Sequence, residues 1–248
     1  MILVLSGEGP SDLGARRPSE AGWEFVPGPM AWIVDKLLGR PDKLDYSVLD
    51  GHASGYDWVY FLSETDLGAL RYPRPRVFPR DQSSFGNQYF RAAADQLGKH
   101  AQAVAIERSD SVIAVFFRDS DGTNSAPKTL WEAKFQSMKA GFELAGFPSG
   151  VPMVPRPKSE AWMLCGLLKR EDLRRNCKWL EDEPGNDASP KSLKSQLEKH
   201  LKCDPTSEVQ AELVCSGKID PALIDLDSFK EFCKELDRAY SNSALPLT

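Results

Sequence analysis

Three short apolar runs stand out along an otherwise mixed chain: ILVL at 2–5, VIAVFF at 112–117 and VPMV at 151–154. They are rich in β-branched or aromatic residues and run into turn-forming or charged positions, the pattern of strands buried on both faces. Between them, apolar positions recur at helical spacing. Pro29 opens one such segment, with Met30, Ile33, Val34, Leu37 and Leu38 on one face and Gly39 placed to end it. A weakly periodic helix is predicted over 85–107. A clearer one is predicted over 127–145, through Leu130, Trp131, Phe135, Met138 and Phe142, with Gly146 closing it. YDWVYFL at 56–62 is a further strand candidate. Residues 11–28, polar and rich in Gly and Pro, predict a loop, as does the Pro/Arg-rich stretch 71–80.

A helix begins at Ser159 with SEAWMLCGLL, in which Trp162 is expected to pack in the core. Further on, PKSLKSQLEKHL and SFKEFCKELDRAY predict more helices. Strands alternating with helices over the first two thirds define an α/β protein with a Rossmann-like parallel sheet flanked by helices. The expected organisation is a catalytic domain at 1–169, carrying an insertion at about 40–100, followed by a helical appendage at 170–248.

Composition narrows the class. At 248 residues, 41% apolar and 27% charged, the chain can bury an ordinary core. No apolar run approaches the ~20 residues that cross a bilayer. MILVL passes directly into SGEGPSD, a strand and a turn instead of a signal sequence, so a cytoplasmic protein with no membrane partner is expected. Five scattered cysteines without a CxxC pair, and three distant histidines, favour reduced thiols over a structural zinc site. A net charge of −5 argues against a strongly basic nucleic-acid binder. It leaves room for a local basic patch at Arg71, Arg74, Arg76 and Arg80, of which Arg74, Arg76 and Arg80 are candidate phosphate contacts.

The candidate chemistry lies at the ends of the three strands. Glu8 falls in GEGPSD, Asp119 and Asp121 in RDSDGT, and Glu160 in PKSEAW. Residues just past the carboxyl ends of strands in an open parallel sheet converge in one crevice. Clustered like charges are costly unless neutralised, and a hard divalent cation, Mg²⁺ or Mn²⁺, is the usual partner of clustered carboxylates. Such a cation orients a phosphodiester and lowers the pKa of a bound water. Asp12 is a further candidate ligand, or a turn cap. Lys158 and Arg156 are candidate stabilisers of phosphate charge, or solvated loop residues. Ser159 and Glu160 also fit a helix start, with Ser159 as N-cap and Glu160 in the first turn.

Taken together, these residues resemble the Toprim family, whose pattern is a Glu in a glycine-containing turn after the first strand and an Asp-x-Asp after a later one. A closer likeness is to small stand-alone bacterial Toprim-like proteins related to the overcoming-lysogenization-defect (OLD) nucleases. It rests on EGPSD (8–12), DSD (119–121), PKSEAW (157–162), SPKSL (189–193) and DSFKEF (227–232). The resemblance implies an Mg²⁺- or Mn²⁺-dependent nuclease acting on DNA or RNA, with Asp119 and Asp121 holding the metal and Glu8 as ligand or general acid/base. It also implies a separate ATPase partner and a role in phage defence. Two rival readings stay open. VFFRDSDGT also resembles the first motif of haloacid-dehalogenase-type phosphatases, which would make Asp119 the nucleophile and Asp121 the general acid/base. A non-catalytic Toprim-like subunit of an ATPase complex is the other.

Overall fold

The structure is a computed structural model describing residues 1–9, 11–19, 22–73, 85–120, 128–184, 186, 189 and 191–243, with the side chains of 85–87 excepted. The chain begins with β1 (Ile2–Gly7), followed by an antiparallel hairpin of β2 (Gly14–Ser19) and β3 (Gly22–Pro27). Helices α1 (Pro29–Leu38) and α2 (Val48–Ala53) lead to β4 (Val59–Leu62). Then come α3 (Glu64–Ala69), α4 (Phe85–Arg108), β5 (Val112–Phe117), α5 (Lys128–Ala145), β6 (Gly150–Met153) and α6 (Ser159–Glu171). The last third contributes α7 (Leu193–Leu201), α8 (Ser207–Cys215) and α9 (Asp227–Ser243), with short 3-10 turns at Lys178–Asp182 and Pro221–Leu223.

Strands β4, β1, β5 and β6 form one four-stranded sheet in that order, and every neighbouring pair is parallel. The protein is therefore an α/β fold compatible with a Rossmann-like architecture. The all-apolar VIAVFF follows from its position. It is an inner strand covered on both faces, so all six of its residues are buried. Alternation then sorts them. Ile113, Val115 and Phe117 join Leu3 and Leu5 in a core shared with α1, α6 and α9. Val112, Ala114 and Phe116 join Ile2 and Val4 under α4 and α5.

Three features depart from the sequence pattern. Residues 11–28, expected as a loop, contain the β2–β3 hairpin. The expected insertion at 40–100 includes β4, an integral edge strand whose Phe61 is opposite Leu5. The helices of 170–248 share the core of α1 and α6, through Leu193, Val214, Phe229, Phe232 and Leu236, so the apolar core runs across the boundary drawn at 169–170. Trp162 is fully buried where that boundary is crossed. Its ring stacks on Phe232 at 5.5 Å and meets Phe229 edge-on at 4.9 Å, and its indole N–H donates to Ser228 Oγ at 2.9 Å. Among the described residues, no helix is long and apolar enough to cross a membrane.

Candidate functional site

The order of the sheet determines where a crevice opens. The chain leaves β1 for β4 on one side, and leaves β5 for β6 on the other. β1 and β5 are neighbours, so the connections after them diverge, and the gap beyond their carboxyl ends is the switch point of the sheet. Gly7 is paired with Phe117 at that edge. Glu8 and Asp119 follow within two residues and meet. Glu8 Oε1 accepts the Asp119 backbone N–H at 3.0 Å.

Asp12 and Glu160 complete the cluster. Asp12 stands at the base of the hairpin, where its carbonyl accepts the Met30 N–H at 2.9 Å as α1 begins. The two limbs of the hairpin come together there at closely packed glycines. A Cβ on Gly14, whose φ is +121°, would lie 2.3 Å from the Val26 carbonyl oxygen, and one on Gly28 would lie 2.3 Å from that of Asp12. Ser159, the first residue of α6, ties the two aspartates together. Its N–H donates to Asp119 Oδ1 at 2.9 Å and its hydroxyl to Asp12 Oδ1 at 2.6 Å. Ser159 is therefore not the N-cap expected from the sequence. Lys158 occupies that position, without a side-chain cap, and Glu160 lies in the first turn.

The charges act on one another. Burial pushes the Asp119 carboxyl well above the usual carboxylate range, and the charges of Asp12, Glu160 and Glu8 push it further, against the opposing Ser159 N–H. Asp12 is also raised, first by burial, with Glu8 adding to the effect. The hydroxyls of Ser159 and Ser11 and the charge of Lys158 oppose it.

A buried arginine that the sequence reading did not single out flanks the cluster. The Arg118 side chain is 4% exposed and ion-pairs with Glu8 at 3.3 Å and with Glu64 at 3.3 Å. Its Nη2 donates to the Tyr89 hydroxyl at 3.0 Å, and its guanidinium lies 5.7 Å from the Tyr89 ring centre and 5.5 Å from that of Phe116. Tyr89 in turn donates to Glu64 at 2.5 Å. Burial and that donation push the Tyr89 phenol up to about 12. Lys134, from α5, donates to the Asp119 carbonyl at 2.6 Å. One signal was available for Arg118: a charge directly after a fully buried strand needs a partner. Besides Glu8, however, its partners Glu64 and Tyr89 come from α3 and α4, and no local pattern announces them.

The remaining candidates divide. Arg156 turns away from the crevice. It is buried, and it donates to the Glu181 carbonyl at 3.1 Å and ion-pairs with Glu181 and Asp182, so its role is to anchor the 3-10 turn. Arg71 donates to the carbonyls of Gly68 and Leu70. Asp121, Arg74, Arg76 and Arg80 lie outside the described residues.

The donor set at the crevice is all carboxylate, the chemistry that suits a hard divalent cation. Among the described residues, no three His, Cys, Asp or Glu side chains already stand in a metal-holding arrangement. Instead, Asp119 Oδ1 accepts the Ser159 N–H, and the two oxygens of Asp12 accept the hydroxyls of Ser159 and Ser11. No protein-family model matches the chain, and no curated protein or solved structure matches it either.

Proposed function

We propose that the chain is an Mg²⁺- or Mn²⁺-dependent phosphodiesterase of the Toprim kind, a nuclease acting on DNA or RNA. The observation that carries this reading is the meeting of Glu8 and Asp119, from turns 111 residues apart, at the switch point of a parallel sheet. Asp12 and Glu160 are close enough there to raise the Asp119 pKa. Like charges gathered beside a buried strand end cost stability, and a cation recovers that cost.

Glu8, Asp12, Asp119 and Glu160 are the described residues that would hold the metal, with Asp121 as the further ligand the DxD motif supplies. The cation would neutralise charge on the phosphodiester and make a bound water a stronger nucleophile. The chain's own groups prepare the site. Arg118 fixes the direction of Glu8, a candidate general acid/base, by holding one of its oxygens while the Asp119 N–H holds the other. Ser159 holds Asp119 and Asp12 in register with each other. Lys158, at the mouth of α6, places a positive charge near Asp12 and is the candidate stabiliser of phosphate charge. A separate ATPase partner and a role in phage defence come with the resemblance to the OLD-related group and belong to this same reading.

The test is cleavage of single-stranded and duplex DNA and RNA with Mg²⁺ or Mn²⁺, comparing wild type with Glu8→Gln and Asp119→Asn. Expected is cleavage that chelator abolishes and that each variant reduces by about a hundredfold or more. Cleavage that survives both chelator and Glu8→Gln would sink the proposal. Covalent phosphate trapped on Asp119 would point instead to the haloacid-dehalogenase-like phosphatase. Divalent-metal binding without cleavage, alone or with an ATPase, would leave the non-catalytic subunit.

A further inference from the structure

The hairpin that the sequence pattern did not reveal forms a wall of a cleft beside this site. The cleft has a volume of about 500 Å³, and Gly7, Gly9, Arg16, Trp23, Phe61 and Glu64 are among the residues around it. Gly7 and Gly9 flank Glu8 in the chain, so the cleft lies beside the turn that carries the candidate catalytic carboxylate. Strand register settles which hairpin side chains share a face. Arg16 is opposite Phe25, and Pro18 is opposite Trp23. Arg16, Trp23 and Phe25 therefore share one face of the ribbon, and Arg17 and Glu24 the other. Phe25 uses that face to stack on Phe61 at 5.2 Å. Two positions nearer the tip, Trp23 is left 72% exposed, the most of the six tryptophans; the next, Trp179, is 41% exposed.

The two acids of the cleft are already engaged. Glu64 receives Arg118 and the Tyr89 hydroxyl, while Asp66 accepts the Ser63 N–H and hydroxyl of its own helix cap. Arg16 is exposed, and its charge reaches Asp66 across the cleft. A bare indole and an exposed guanidinium on one face, beside a cleft next to the Glu8 turn, match the way single strands are held: bases stack on aromatic rings and arginine meets the backbone. The volume is that of a small-ligand cleft, ~300–1,000 Å³, the scale of a single splayed nucleotide.

We infer that the β2–β3 hairpin is a single-strand-binding arm, on which Trp23 stacks a nucleobase and Arg16 meets a neighbouring phosphate, so that the next phosphodiester is presented to the Glu8–Asp119 crevice. The inference rests on the nuclease reading for the identity of the polymer. The rigid close approach of Gly14 and Gly28 at the hairpin base fixes the direction of the arm relative to Asp12.

The experiment is fluorescence-anisotropy binding of labelled poly(dT) and poly(U) to the full chain with divalent cations chelated, so that no strand is cut. Wild type, Trp23→Ala, Trp23→Phe and Arg16→Ala are compared. Trp23→Ala is expected to weaken binding by about five- to a hundredfold, the loss of one base–aromatic stack. Trp23→Phe restores most of it, and Arg16→Ala reduces both affinity and its salt dependence. Equal binding by wild type and Trp23→Ala, tighter binding of duplex than of single strand, or failure of Trp23→Phe to rescue would overturn the inference. The two proposals fail separately. A chain that binds strands through Trp23 but cuts nothing retains the arm and loses the nuclease. A chain whose cleavage of single strands is unchanged by Trp23→Ala retains the nuclease and loses the arm.

Discussion

Asp119→Asn should make the protein more stable, although Asp119 is central to the candidate site. Asparagine keeps the shape of the side chain and a carbonyl oxygen to accept the Ser159 N–H, which is 2.9 Å from Oδ1. What it removes is a charge that burial and three neighbouring carboxylates oppose. Two unit charges about 5 Å apart at an effective dielectric of ~20 repel by about 3 kcal/mol. The Ser159 N–H and the solvent reaching Glu8 return part of that, leaving a net gain on the order of 1–2 kcal/mol. For a chain of this length that is about 2–8 °C in Tm.

The sign with pH follows from the raised folded-state pKa. Between the ordinary Asp value of 3.8 and the higher folded value, the native state binds more protons than the unfolded one, so wild-type stability falls as pH rises through that window. Above the window the full penalty applies, and below 3.8 it vanishes. The advantage of Asp119→Asn should therefore be largest at neutral pH and disappear near pH 4. Calorimetric melts across that range measure it. A cation binding with a Kd near 1 mM, present at 10 mM, would add about 1.4 kcal/mol to the wild type and much less to the variant. A variant less stable than wild type at neutral pH would refute the electrostatic reasoning, because it would mean that the charge stabilises the fold.

Arg118→Met should lower stability by about 1–3 kcal/mol. That is less than the 3–5 typical of a broken buried pair, because the Glu8 and Glu64 side chains are 45% and 55% exposed and can hydrate. Urea melts check it, and any nuclease activity should fall with the loss of Glu8 orientation. Trp162→Ala should cost about 3–5 kcal/mol in a single cooperative transition, since the ring joins α6 to α9 and its loss also leaves the Ser228 hydroxyl without its donor. Two separate transitions in that variant would mean that residues 170–248 fold on their own. Gly14→Ala should cost on the order of 2–3 kcal/mol, combining a strained φ with a clash against the Val26 carbonyl. Circular dichroism melts would read it, and an unchanged Tm would mean that the hairpin base is loose.

The parts of the fold that were legible in the sequence are those in which one strand or helix carries its own signal. VIAVFF could only be a strand covered on both faces, and the acids beyond it and beyond ILVL were placed by the general rule for strand ends. The β2–β3 hairpin had no such signal. GARRPS is largely polar, GWEFVP sets Trp, Phe and Val around a single Glu, and both carry proline and are partly exposed; what holds them is backbone packing at Gly14 and Gly28 together with a stacked Phe25. β4 was legible as a strand within 56–62, but not as part of the sheet. It is only four residues long, and the Trp, Tyr and Gly around it resemble surface segments, although its backbone is bonded along the whole of one side to β1.

The same distinction explains why the acids of the site were legible and their supports were not. Glu8 and Asp119 are delivered by adjacent buried strands, so their meeting depends on the sheet alone. Asp12 reaches the cluster only because a hairpin folds back at its base, and Ser159 because α6 begins where it does. Arg118 is confined by a tyrosine and a glutamate from two other helices. Each of these supports is a tertiary contact between segments whose local sequences specify only a turn, a helix start or a strand end. The carboxylates repel one another, and the groups that hold them together are the Ser159 N–H and hydroxyl, the Asp119 N–H and the Arg118 guanidinium. Loosening any of these should alter the site before it alters the fold, because the two apolar cores on either face of the sheet do not depend on them.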